Sequence, residues 1–224
     1  MTIESSNGAG QKDADGYTDI GASTPEAMEI SRKSRRMIRE LIGDSTLEDG
    51  IRQRCVIATG DPGVAGILRF LNDPVQAGLK GLEEGAGIYV DIRMVEAGVV
   101  KKGHKSQVKT FIGAGDDLAN REGITRTSAG VLALQEELSG SIILIGNAPS
   151  ALMTLCDLIE SGKIRPAVVI GTPVGFVNAA ESKERLRKID VPSISTVGTR
   201  GGTPIAVAAV NEIINIHARS KSGH

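Results

Sequence analysis

The chain has 224 residues, a net charge of −1 with acids and bases mixed throughout, and only two tyrosines, three phenylalanines and no tryptophan. That length buries a full core and fits one α/β domain better than two. The charge balance leaves no basic patch for nucleic acid, and so few aromatic rings leave little to stack on bases.

Half of residues 1–16 are Gly, Ser, Asp or Lys and almost nothing there can be buried, which predicts a disordered tail ahead of a single domain over 17–218. Acids and glycines stand where a signal peptide needs bases and an apolar core. The longest apolar stretch, 141–159, is interrupted by Asn147, Pro149 and Asp157. A soluble, cytoplasmic protein without a membrane span is expected. Cys55 and Cys156 form no CxxC pair and read as reduced thiols.

Thr24 followed by Pro25 marks a helix start, and Met28, Ile30, Met37, Ile38 and Leu41 carry an apolar stripe to about Ile42. Ser34 interrupts that stripe, either bonded back to a carbonyl one turn earlier or presented to a ligand. Ser45 and Glu48 predict a capping box for a second helix, with Leu47, Ile51, Cys55 and Ala58 facing the core. Arg54, Ile57 and Asp61 then share another face if the helix reaches that far, whereas a strand at CVIAT separates them. A helix over 75–86 leads into a strand GIYVDIRMV, in which Asp91 needs a partner or an open strand end. A basic turn containing His104, read as solvated, precedes a strand VKTFIG. After a short helical turn at 116–121, ITRTSAGVLALQEEL reads as a helix with Arg126 in its first turn. A cation is unfavourable at a helix N-terminus, so Arg126 there suggests service to something else.

From 141 to 216 one pattern occurs three times: a short apolar run, a loop of small residues, then a helix-like segment. The runs are SIILIG, PAVVIG and PSISTV, without the alternation of a half-exposed strand. They predict an α/β fold with a mainly parallel sheet flanked by helices. The loops at 146–150, 171–178 and 198–203 should then share one edge, beside helix N-termini that attract anions. No GxGxxG follows a strand, no P-loop or GxSxG occurs, and no cluster has metal-ligand spacing, so neither metal nor cofactor is expected. What remains is a rim of amides and hydroxyls with Asn147, Arg54, Arg126 and Arg200, suited to a polyanionic small molecule. Glu181, Ser182 and Lys183 either extend this rim or, as the default for a charged stretch, form a solvated helix face.

IGNAPSAL, IGTPVGFVNAAESKERL and GTRGGTPIAVAAVN resemble the three signature blocks of the precorrin-8 methylmutase family. VDIRMVEAG, ITRTSAG and RCVIATGD match further family segments in the same order, so the likeness runs from about 25 to about 214. The resemblance implies a homodimeric isomerase of cobalamin biosynthesis that moves a methyl group from carbon 11 to carbon 12 of a corrinoid polycarboxylate, cobalt-free or cobalt-containing. It matches Ser34, Arg54 and Arg126 to family positions that contact the substrate, and Asn147, Gly201 and Gly202 of the loop rim are expected to bind it beside them. At the position of the family's proton-transferring histidine this chain has Ile57, which leaves the catalytic acid unassigned. The alternative implied by that exchange is a non-catalytic tetrapyrrole-binding homologue.

Overall fold

The four aliphatic residues of strand β4 (Ile142–Ile145) are all buried, two toward each face of the sheet. Ile142 and Leu144 enter one core, Ile143 and Ile145 a second. A strand that buries both faces needs helices on both. In this computed structural model, which describes residues 24–222, those helices are supplied from both halves of the chain.

The first half runs α1 (Pro25–Ile42), α2 (Leu47–Thr59), α3 (Gly63–Ile67), β1 (Leu68–Leu71), α4 (Pro74–Glu84), β2 (Ile88–Val90), α5 (Arg93–Gly98) and β3 (Val108–Thr110). Helices α6 (Asp116–Glu122) and α7 (Arg126–Ala133) lead to β4. Then follow α8 (Pro149–Glu160), β5 (Val168–Gly171), α9 (Ala179–Leu186), β6 (Ser193–Thr196) and α10 (Thr203–Ser222). The six strands lie in the order β1-β6-β5-β4-β2-β3. Every pairing is parallel except β1 with β6. The chain moves outward from β2 to β3 on one side and from β4 to β6 on the other, so the direction of winding reverses between β2 and β4.

Helix α10 is the hub of one face. Ile205, Ala206, Ala209, Val210, Ile213 and Ile214 are all buried, as suits a helix apolar on most sides and covered by α2 and α4. Two of its polar side chains anchor neighbouring segments: Asn211 accepts the Val100 N–H at 2.9 Å and donates to the Gly98 carbonyl at 2.9 Å, and Glu212 holds α1. Glu212, fully buried, accepts from Arg35 of α1 at 2.6 Å. Gly50 of α2 lies beside this pair, and a Cβ there would come within 3.1 Å of Arg35 Nη2 and 3.3 Å of Glu212 Oε1. Helix α1 is thus held by an ion pair, with Arg35 its only buried side chain. Ile30, Met37 and Leu41 of its apolar stripe stay about 60% exposed.

The mainly parallel single-domain α/β fold is as the sequence implies, and α1 starts on the Thr24 cap, whose hydroxyl accepts from Ala27 N–H at 3.1 Å. Several local expectations are corrected. The capping box of α2 is Thr46 with Asp49, not Ser45 with Glu48, because Asp49 reaches back to the Ser45 and Thr46 amides. Ile51 and Cys55 face the core, but Leu47 and Ala58 are exposed, since α10 contacts the face carrying Ile51, Cys55 and Val56. CVIAT is helical throughout. The strand expected over 87–95 stops at Val90, and Arg93 already starts α5. The helix over 124–138 ends at Ala133 and continues as a 3-10 turn, Gln135–Glu137. The antiparallel edge strand β1 has no counterpart in the sequence reading. The proposed tail at 1–16 lies outside the described residues.

Glu212→Ala leaves the Arg35 guanidinium buried without its carboxylate, so stability should fall by about 3–5 kcal/mol. Urea denaturation followed by circular dichroism checks this through the midpoint. A loss under about 1 kcal/mol would mean that α1 is not held by this pair.

Candidate functional site

The three parallel strands β4, β5 and β6 end at one edge, and the small residues that follow let their loops touch. Gly146, after β4, lies so close to the start of α10 that an added Cβ would be 3.1 Å from Thr203 Cα. The Thr172 carbonyl, after β5, accepts the Gly202 N–H at 2.7 Å, and Gly175 N–H donates to the Thr199 carbonyl at 3.1 Å. A Cβ on Gly201 would meet the Thr172 oxygen at 2.2 Å, so this crossing requires glycine. Asn147, Gly201 and Gly202 therefore share one edge, as the repeated strand–loop–helix pattern predicts.

Where the winding reverses, Asp91 closes the gap between β2 and β4. Its Oδ2 accepts the Asn147 and Ala148 N–H groups at 2.6 and 2.8 Å. Burial pushes the carboxyl up from the usual range, against the pull of the Ala148, Asn147, Gly146 and Ile92 amides. Asp91 thus fixes the loop ahead of α8 through its backbone and leaves the Asn147 side chain exposed. The partner that an acid in an apolar strand demands is this loop.

Two further elements reach the edge from opposite faces of the sheet. On one, α2 ends at Thr59 on a left-handed Gly60 cap, and Asp61 just beyond it pairs with Arg200 of the loop after β6. Asp61 is steadied in turn by the Gly63 N–H, 2.8 Å from its Oδ1. The Cys55 thiol also points at the Ile205 carbonyl, 3.7 Å away, so the last turns of α2 lie along the start of α10. Arg54 and Ile57, both half-buried, are on those turns. Asp61 is outside the helix, so it joins them by a turn and not by helical spacing.

On the other face, the Thr125 hydroxyl caps α7 and lies 2.8 Å from the Ser150 hydroxyl in the first turn of α8. This brings Arg126 to the same edge, where its guanidinium binds both oxygens of Asp116 at 2.9 and 2.8 Å. The hydrogen-bonded guanidinium holds the Asp116 carboxyl below its usual range. Both side chains are about half exposed. A cation in the first turn of α7 is explained by this fork to an acid at the start of α6.

Ser34 is half-buried on α1, which packs on α2. The segment ESKERLRK is not simply solvated: Glu181 is exposed, but Ser182 and Lys183 are fully buried. Lys183 donates to the Arg200 carbonyl, a contact that a charged octapeptide gives no reason to expect. His104 is not solvated either. It staples its own turn, with Nε2 2.7 Å from the Val100 carbonyl and Nδ1 accepting the Ser106 N–H at 3.2 Å. No group of three or more His, Cys, Asp and Glu residues that could hold a metal occurs among the described residues.

Residues 29–216 match the family model for precorrin-8X methylmutase. The chain is 41% identical over 206 residues to the cobalt-precorrin-8 methylmutase of Methanocaldococcus jannaschii, covering 87% of this chain and 96% of the relative. It is 43% identical over 200 residues to the cobalt-precorrin-8 methylmutase of Methanothermobacter thermautotrophicus, with the same coverage on both sides. The crystal structure of the precorrin-8X methylmutase from Thermus thermophilus superimposes with a TM-score of 0.79 at 35% identity, over 86% of this chain and 97% of that one.

Asp91→Ala should release the two amides that its carboxylate holds. A buried donor left without its acceptor costs about 1–3 kcal/mol, so the urea midpoint should fall accordingly. Hydrogen exchange should quicken at Asn147 and Ala148 before it does in β4. Unchanged protection at both amides would contradict the role given to Asp91.

Proposed function

The chain belongs to the precorrin-8X methylmutase family, and on that premise we propose that the edge built by the loops after β4, β5 and β6 binds the carboxylates of its corrinoid substrate. The protein is an isomerase of cobalamin biosynthesis that moves a methyl group from carbon 11 to carbon 12 of the macrocycle. The observation that carries the site assignment is the convergence of three small-residue loops with arginines from both faces of the sheet.

An intramolecular shift needs no second substrate, so the protein's work is to hold a many-armed polyacid in one orientation and to stabilise charge as the bond migrates. Arg126 suits a carboxylate arm, because its planar fork already binds one carboxylate, Asp116, in bidentate fashion. Arg54 approaches from the α2 side, with Ser34 as a hydroxyl contact from α1. The exposed Asn147 side chain and the glycines at 201 and 202, which let the main chain come close, complete the cradle; the Asn147 and Gly202 N–H groups are already taken by Asp91 and the Thr172 carbonyl. Ile57, one turn beyond Arg54, places an aliphatic side chain where the family resemblance implies a proton-transferring histidine. At this position the chain contributes packing and excludes water.

The exposed Ile30, Met37 and Leu41 on α1 support a homodimer, because a stripe of this kind on one helix is a surface suited to a second copy. A cytoplasmic location accords with the reduced state of the buried Cys55 and Cys156.

Incubation with precorrin-8 should change the absorption spectrum as conjugation alters, and the product should be hydrogenobyrinate; no change at any protein concentration would contradict the reading. Arg54→Ala and Arg126→Ala should each weaken affinity for hydrogenobyrinate about ten- to a hundredfold. For Arg126→Ala the thermal midpoint should barely move, since the pair it breaks is at the surface. Absorbance titration decides both, and unaltered affinity would remove the arginine concerned from the site.

Ile57→His should raise the single-turnover rate, because an imidazole titrates near neutral pH and general acid help is worth up to about 10²–10⁴. Rates are to be compared after both proteins are shown to bind hydrogenobyrinate equally. A wild type that turns over well and gains nothing from the histidine would show that the shift does not depend on this position.

A further inference from the structure

Lys183 is at odds with its own helix. Glu181 and Glu184 of α9 face solvent, yet the Lys183 side chain is fully buried. Its Nζ donates to the Thr196 hydroxyl at 3.1 Å and to the Arg200 carbonyl at 2.7 Å. The Thr196 hydroxyl donates to the same carbonyl at 2.7 Å. The carbonyl of Arg200 is therefore drawn inward by two donors, while the Arg200 side chain stays half exposed at the edge.

No carboxylate balances this ammonium among the described residues. Helix α8 and strand β6 pack against α9. The acids of α8, Asp157 and Glu160, are taken by Arg185, and Glu184 is taken by Arg187. Strand β6 brings Ser193, Ile194, Ser195 and Thr196, none of them charged. The other charged side chains about Lys183 are Arg187, bound to Ser195 and the Thr196 carbonyl, and Arg200 on the loop. Burial first, and Arg187 second, bring the lysine down to about 8. A buried cation without a counter-ion costs stability that an apolar or amide side chain would not.

We propose that Lys183 is a positioning residue for the substrate: it fixes the Arg200 carbonyl inward, so that the 198–203 loop presents its outer side, and its charge is balanced by a carboxylate of the bound corrinoid. This inference rests on the corrinoid reading of the site. The lysine does not touch the substrate; it acts through the loop.

Two quantities should then move in opposite directions with pH. The folded lysine loses its proton more readily than the unfolded one. Its burial penalty is therefore complete below about 8 and relaxes as pH rises toward the ordinary value of 10.5, so the free protein gains stability over that range. Affinity for hydrogenobyrinate falls over the same range, because the balancing charge is lost. The Cys55, Cys156 and Tyr89 side chains are pushed up to about 12 and do not titrate there.

The test is an absorbance titration of wild type and Lys183→Met with hydrogenobyrinate between about pH 7 and about pH 9.5, with urea midpoints of the free proteins alongside. Wild-type affinity should drop about tenfold across the range, whereas Lys183→Met should be about tenfold weaker at the lower end and independent of pH. A variant that binds like wild type at every pH, or a flat wild-type profile, overturns the proposal. A role in packing alone would change the urea midpoints and leave the pH profile of affinity as it was. Should the variant fail to fold, the wild-type profile alone decides. A wild type that binds hydrogenobyrinate at no pH overturns the corrinoid reading itself, and this inference with it.

Discussion

A parallel sheet buried on both faces is the constraint on which the molecule depends. Each of Ile142, Ile143, Leu144 and Ile145 must be removed from water, so every connection between neighbouring parallel strands has to cross a face as a helix. Those crossovers return the loops after β4, β5 and β6 to one edge. The glycines at 146 and 201 then decide how near the loops can come, because a side chain at either would strike Thr203 or the Thr172 carbonyl. The site is a consequence of burial on the sheet and of missing side chains at its edge.

Charge at the rim of that frame is arranged in pairs. Arg126 is held by Asp116 and Arg200 by Asp61, each pair partly exposed. Such pairs contribute little to stability but keep a guanidinium extended and oriented. Asp91 has a different task. Deep between β2 and β4, it holds the Asn147 and Ala148 amides and so shapes the loop without presenting its charge. The loops are fixed from within by Asp91 and Lys183 and furnished at the rim with arginines.

Most of this frame was legible in the chain because the signals are local. Apolar runs of four, small-residue loops and helix starts such as Thr24–Pro25 need no tertiary knowledge. What escaped the sequence depends on neighbours far along the chain. Leu47 looks like core and is exposed, because α10 covers the other side of α2. Strand β1 is a short, antiparallel edge strand whose apolar run is broken by the exposed Arg69. Lys183 sits in a string of charges that reads as solvated, and only its approach to Arg200, 17 positions on, makes it internal. The oddity of Asp91, an acid closing an apolar strand, was visible locally, as was that of Arg126, a cation in the first turn of a helix. Ile57 stood out as a site position only through the family resemblance, since an aliphatic residue on a helix is otherwise unremarked.

A corrinoid bound on the edge where three loops meet would perturb the backbone there. Backbone amide chemical shifts, followed by NMR as hydrogenobyrinate is added, test it most directly. The account predicts that the largest changes fall at residues 146–150, 172–178 and 198–203, with Arg126 and the last turn of α2. Shifts confined to the opposite edge, around the 420 Å³ depression lined by Ile164, Arg165, Lys188 and Asp190, would contradict it.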